Sequence, residues 1–257
     1  MSDVPAPPHA ASPPEGAGSP QLTSRSFTGW PAWADLPLDV VSYGPDCATE
    51  ADLRLLGRLE GKRVLELGCG GGPISVAMAR QGAKVIAIDG SADQIGHARR
   101  LCEREEVSVE LHQGDLADLA FVRADTIDVA ISVYALGMVG DLDRVFRQVH
   151  RVLRPEGPFV ISLPHPAWRA SDRGEPPRIR RPYWDPTPVP WFDGGEQGAD
   201  HPVTVASLFT SLTRANFRVD TIAEPEPPQT TARSRWWQPG MSYLPATLVV
   251  RARKTGT

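Results

Sequence analysis

The stretch Val64-Leu65-Glu66-Leu67-Gly68-Cys69-Gly70-Gly71-Gly72-Pro73 decides the fold. Residues 64–67 read as a short buried strand and residues 68–72 as a tight glycine turn. Pro73 opens a helix, because its fixed φ and missing N–H suit a first helical position. Strand, turn and helix N-terminus together offer backbone N–H groups to a nucleotide-like ligand. Three ligands compete. A dinucleotide wants Gly-x-Gly-x-x-Gly, and counting from Gly68 the last position is Pro73, so that fingerprint fails. A phosphate loop ends in Gly-Lys-Ser/Thr, and this turn has no lysine. A nucleoside without phosphates remains. Glu66, just before the glycines, would repel a pyrophosphate yet hold a cationic ammonium.

Outward from that stretch, apolar strands alternate with amphipathic helices. A helix is expected to start at Thr49, with Leu53, Leu55, Leu56 and Leu59 on its apolar side, although Gly57 weakens it. The glycine turn leads into a helix over about 73–81. A second strand at 84–88 ends in Asp89, followed by Gly90. Ser91-Ala92-Asp93-Gln94 reads as a capping box that starts the next helix. A third strand is expected at 107–112, before Gly114-Asp115-Leu116, and a fourth at 126–133. A strongly amphipathic helix spans about 141–153, and a fifth strand runs over 158–163. A helix at 204–215 and strands at 217–222 and 247–253 complete the pattern, which means a parallel sheet covered on both faces.

Residues 164–202 break this rhythm with prolines and Trp168, Tyr183, Trp184, Trp191 and Phe192. So long an irregular stretch in a compact domain reads as a lid or substrate segment. Its aromatics either line an apolar pocket or fix the insertion to the body. Residues 1–28, rich in Pro, Ala, Ser and Gly, read as a disordered leader ahead of a domain at 29–257.

Composition narrows the function. Of 257 residues 41% are hydrophobic, enough for one sizeable core, and the formal charge of −4 offers no basic footprint for nucleic acid. Cys47, Cys69 and Cys102 stand far apart with no Cys-x-x-Cys pair, so neither a metal site nor a disulfide framework is expected. No apolar run approaches the roughly 18 residues of a membrane span. The N-terminus has no basic start followed by an apolar run, so a cytoplasmic location is expected.

The residues then carry a resemblance. Glu66-Leu67-Gly68-Cys69-Gly70-Gly71-Gly72 resembles motif I of the class I S-adenosylmethionine (SAM)-dependent methyltransferases, and the likeness continues in register from about residue 49 to 163. Asp89 matches the acidic residue that the family uses on the ribose hydroxyls, with Gly90 and Ser91 beside it. Asp115 and Leu116 resemble its adenine site, although Asp115 also suits a helix cap. Residues 149–157 resemble its late helix-to-strand motif. The branch is that of small-molecule enzymes, including those of quinone biosynthesis, which share a His-Pro after the fifth strand, here His165-Pro166. Asn216 stands where that branch usually has Gly.

The resemblance implies a Rossmann-like, doubly wound α/β sheet of seven strands, mostly parallel, with the last antiparallel. It implies SAM as cofactor, no metal, and methyl transfer to a small-molecule acceptor by in-line displacement. Cofactor contacts are expected from Glu66, Gly68, Cys69, Gly70, Gly72, Asp89, Gly90, Ser91, Asp115, Leu116 and Ser132. Glu66 also suits a structural role beside the loop amides. Tyr43 is expected over the methionine end of the cofactor, or else in the core. His165 and His201 are the histidines placed to take a proton from an acceptor; the plainer reading of each is a loop histidine held by backbone bonds. The Arg178-Ile179-Arg180-Arg181 run would suit an acidic substrate, or simply face solvent. Two further readings stay open: a SAM-fold protein that binds without catalysing, and a nicotinamide-dependent oxidoreductase.

Overall fold

The computed structural model describes residues 36–44, 46–193, 196–229, 233–234 and 236–256, with the side chains of 191–197 excepted. The expected leader at 1–28, His9 within it, and Trp30 and Trp33 lie outside the described residues.

The strands expected from buried apolar runs form. They are β1 (Arg63–Leu67), β2 (Lys84–Asp89), β3 (Val109–Gln113), β4 (Val129–Val133) and β5 (Pro158–Pro164). Between them run α2 (Pro73–Arg80), α3 (Ala92–Arg104) and α4 (Leu142–Val152), after a short α1 (Glu50–Leu53). Beyond β5 come α5 (Pro166–Ala170), β6 (Val189–Asp193), β7 (Glu196–Asp200), α6 (Val205–Arg214), β8 (Phe217–Ala223) and β9 (Thr247–Lys254). The main sheet has seven strands in the order β3-β2-β1-β4-β5-β9-β8. β9 pairs antiparallel with both β5 and β8, and the other neighbours are parallel. The last strand is therefore the antiparallel one, and it lies inside the sheet.

Alternation along the strands builds one core on each face. Leu65, Leu67, Ile86, Ile88, Ala130, Phe159 and Ile161 face α4 and α6. Val64, Val85, Ala87, Val129, Ile131 and Val160 face the other way, against α2, α3 and the segment around 41–59. Glu66 shares the parity of Val64, so its carboxyl points under α2.

Three expectations need correction. The helix from Thr49 stops at Leu53, and Arg54 turns left-handed at φ 51°. The Glu50 carboxylate ends it by accepting from the N–H groups of Leu55 (2.8 Å), Leu56 (2.8 Å) and Gly57 (3.2 Å), which a continuing helix would have used internally. The third strand starts at Val109 rather than 107, and the fourth at Val129 rather than 126. The capping box at α3 is half made: Ser91 Oγ accepts from Gln94 N at 3.3 Å, but no bond from the Gln94 side chain returns.

The 164–202 segment has structure of its own. α5 and the β6–β7 hairpin are joined by an extended stretch that folds back through Arg180 N donating to Ala170 O. Trp184 is 80% exposed, and of the segment's aromatics only Trp168 is buried among the described side chains.

Candidate functional site

In a sheet of this order, the crossovers run in opposite directions on either side of the β1/β4 boundary. A crevice opens there at the carboxyl ends of the strands. A cleft of about 630 Å³, its open mouth included, occupies that place. Glu66, Gly68, Cys69 and Gly70 line one side, Val133, Tyr134 and Ala135 the other, and Asp89 and Gln94 close the end towards α3.

Asp89 organises the glycine turn. Its Oδ2 accepts from Gly70 N at 2.8 Å and its Oδ1 from Ser91 N at 2.9 Å. One carboxylate thus ties the loop after β1 to the loop after β2. Gly68 has φ 74°, and a Cβ there would lie 2.0 Å from Ala135 Cβ, so only glycine lets the loops after β1 and β4 touch. Gly72 serves packing instead: a Cβ there would meet Ala98 of α3 at 2.9 Å, and Gly72 does not line the cleft.

Glu66 is almost fully buried and accepts a short hydrogen bond from Ser75 Oγ. Burial pushes its carboxyl up to about 8 from 4.5, with Asp89 adding to the rise and Ser75 opposing it. Without a cation beside it, Glu66 is thus largely protonated at neutral pH. A cation placed against it would favour the carboxylate and release that proton. Because the folded pKa lies above the unfolded one, the folded chain holds the extra proton between about pH 4.5 and 8. Stability contributed by this group therefore falls as pH rises through that window, by up to about 1.4 kcal/mol per unit. Urea denaturation of the parent and Glu66→Gln proteins across this range should show a stability gap that moves steadily in favour of the variant. A constant gap would mean that Glu66 is already ionised throughout it.

Gln94 is a site residue that its place in a capping pattern concealed. It is buried, lines the cleft, and its Oε1 has no hydrogen-bond partner. A buried carbonyl left unpaired costs about 1–3 kcal/mol. A ligand that donates a hydrogen bond there recovers the loss. Gln94→Leu is accordingly expected to raise the melting temperature of the ligand-free protein and to weaken ligand binding; opposite signs in the two measurements are the signature. Tyr134 also lines the cleft. It follows β4 with φ 61°, a conformation a bulky side chain rarely adopts, and its hydroxyl lies 2.6 Å from Thr247 Oγ1.

Other predicted residues lie elsewhere. Tyr43 is fully buried, and its hydroxyl donates to Glu50 Oε2 at 2.5 Å, so it belongs to the core rather than to the cleft. Ser132 Oγ donates to Leu67 O at 2.8 Å and pins β4 to β1. Asp115 is half exposed; its Oδ1 accepts from Ala117 N at 2.9 Å and its Oδ2 lies 3.8 Å from Arg144. Leu116 rests against the glycine turn, 3.6 Å from where a Gly68 Cβ would be. Gly90 and Ser91 adjoin Asp89 without lining the cleft.

His165 is not placed as a base. His165 Nδ1 accepts from Ala167 N at 3.1 Å as the cap of α5, so its proton sits on Nε2, 2.8 Å from Glu224 Oε1. Both nitrogens are engaged and the ring is buried. His201 N donates to Gly137 O at 2.8 Å, and its ring packs near Gly140, behind the turn that follows β4. That bond fastens the end of β7 to the turn after β4, and the buried Arg169–Asp200 pair at 2.7 Å ties the same end to α5. Arg180 and Arg181 are paired with Asp172 and Asp185 at 2.8 Å each.

Among the described residues no group of three or more His, Cys, Asp or Glu is placed to hold a metal ion, and no helix is long and apolar enough to cross a membrane.

Comparison with known proteins matches residues 64–157 to a methyltransferase domain family. The chain is 37% identical over 106 residues to a ubiquinone biosynthesis O-methyltransferase of Aeromonas salmonicida, covering 41% of this chain and 44% of that one. It is 38% identical over 104 residues to the enzyme of the same description from Pseudomonas syringae pv. tomato, covering 40% and 45%. The chain thus spans less than half the length of these curated relatives. Among solved structures, a SAM-dependent methyltransferase from Mesorhizobium loti is 29% identical with a TM-score of 0.66, covering 79% of this chain and 96% of that one. Another, from Clostridium acetobutylicum, is 14% identical with a TM-score of 0.56 over 76% and 84%, a likeness of fold alone. The sheet order and the glycine turn point the same way as these matches: residues 64–157 carry a methyltransferase domain, on the fold of the SAM-dependent methyltransferases.

Proposed function

We propose that this protein transfers the methyl group of SAM to a small-molecule acceptor whose reacting atom sits above the carboxyl ends of β4 and β5. One observation carries the reading: the cleft at the β1/β4 boundary combines the buried Glu66 carboxyl, the Asp89 carboxylate on the loop, and an unpaired carbonyl on Gln94. That set of acceptors fits a ligand with a cationic head and several hydroxyl or amino donors, and SAM is one.

In this reading Asp89 accepts from the ribose hydroxyls, Glu66 faces the ammonium, and Gly68, Cys69 and Gly70 let the cofactor lie against backbone. Gly90 and Ser91 shape the loop around the sugar, and Asp115 and Leu116 border the adenine. When bound, SAM supplies a methyl on a positive sulfur and is already activated. The chain's own task is therefore to hold the acceptor in line and keep water out, which is worth up to roughly 7–11 kcal/mol in favourable cases. With His165 committed elsewhere, alignment carries the rate in this proposal. The 164–202 segment, held to the turn after β4 by His201 N donating to Gly137 O, serves as the cover over the acceptor. The ubiquinone-biosynthesis relatives favour a small molecule over a macromolecule, and the formal charge of −4 agrees with that.

Titration calorimetry with SAM and with NADH, followed by assay of S-adenosylhomocysteine formation in a metabolite extract, tests this. SAM binding with product formation supports it. SAM binding without turnover in any extract reduces the chain to a binding module, and preference for NADH overturns the reading.

A further inference from the structure

A second cavity opens at the same edge of the sheet, built by the chain between β8 and β9. It has a volume of about 1000 Å³, its mouth included. It lies outside the segment 64–157 that the methyltransferase family matches, so the relatives' acceptors do not carry over to it. A thin wall parts it from the cofactor cleft. Tyr134 lines the cleft, and its hydroxyl meets Thr247 Oγ1 at 2.6 Å. The adjoining Ala246 carbonyl accepts from His165 N at 2.9 Å, and His165 Nε2 reaches Glu224 Oε1 on the cavity's own lining.

The lining has a definite chemistry. Because His165 Nδ1 is an acceptor, Nε2 carries the proton and donates it to Glu224, which holds that carboxylate in place with half its side chain facing open space. Glu226 also lines the cavity, and among the described lining residues Arg233 is the cation. The described lining therefore carries two negative charges against one positive. Arg233 is itself engaged: its guanidinium carbon lies 3.8 Å above the Trp237 ring, and Nη1 donates to Pro228 O at 3.1 Å. The ring face is thus already shown to seat a flat cation. Tyr243, 55% exposed, adds a second aromatic wall.

We propose that this cavity is a ligand site separate from the cofactor cleft, and that it takes a small molecule with a cationic nitrogen beside a flat ring. The cation lies against Glu224 and Glu226, and the ring beside Trp237 and Tyr243.

The test uses three probes of one shape on the full chain: tyramine, 4-ethylphenol and 3-(4-hydroxyphenyl)propionate, which are cationic, neutral and anionic. Binding is followed by ligand-observed NMR with and without SAM. Tyramine should bind saturably and at least tenfold more tightly than the neutral probe, with the anion weakest. The double variant Glu224→Gln, Glu226→Gln keeps an acceptor for His165 and should lose that preference, and Trp237→Leu should weaken tyramine and 4-ethylphenol alike. SAM affinity by calorimetry should be unchanged in both. Equal or tighter binding of the anion, no saturable binding of tyramine, or tyramine affinity untouched by the double variant would each overturn the proposal. Failure of SAM to bind the parent protein would instead sink the methyltransferase reading and leave the probe ranking interpretable.

Discussion

Asp89→Ala should weaken SAM binding by about a hundredfold or more, read by titration calorimetry. Two losses combine. The carboxylate is the proposed partner of the ribose hydroxyls, and hydrogen bonds to a charged group contribute about 1.5–3 kcal/mol each. It also holds Gly70 N and Ser91 N, so the loops on both sides of the sugar lose their tie. Asp89→Asn separates the two effects. It keeps one acceptor oxygen for the loop but turns an N–H₂ toward the ligand, so it should retain the fold of the turn and still bind poorly. Normal SAM affinity in the alanine variant would remove Asp89 from the cofactor site.

The second large effect is on stability. Gly68→Ala should destabilise the fold by about 3 kcal/mol or more, measured by urea denaturation. The left-handed backbone at φ 74° costs any residue with a Cβ roughly 1–2 kcal/mol. The new methyl would also sit 2.0 Å from Ala135 Cβ, where two loops must part to make room, an overpacking cost of about 1–3 kcal/mol. Gly57→Ala is the matched control. Gly57 has φ 71°, and a Cβ there meets nothing within 4 Å, so it should show the backbone cost alone. Equal losses in the two variants would mean that the contact with Ala135 does not constrain the turn.

Much of the fold is legible in the chain because β1, β2, β4 and β5 are buried on both faces and appear as short, continuous apolar runs between turn residues. The glycine turn is legible because four glycines in residues 68–72 stand between a buried strand and a helix that opens on proline. What escapes is decided by distant atoms. The helix after Thr49 ends early because the side chain of Glu50 captures three N–H groups beyond it. Tyr43 reads equally as lid or core until its hydroxyl is seen on Glu50. Gln94 fits a capping pattern, yet its amide turns into the cleft. His165 sits where a base would be useful, and only its two bonds, to Ala167 N and to Glu224, show that it is occupied. The cavity beside β8 is the least legible, since His165 and Glu224, 59 residues apart in the chain, meet at its wall.

The position of β9 has a consequence for how the chain comes together. β5 is paired along its whole length, Pro158 to Pro164, by residues near the C-terminus, Arg253 back to Thr247. Until those are synthesised, a strand carrying Phe159, Val160 and Ile161 has one open edge, the kind of surface on which chains join one another. The C-terminal strand is therefore the closing seam of the sheet. Any shortened form that keeps the cofactor half but drops the final strand exchanges a finished molecule for a sticky one.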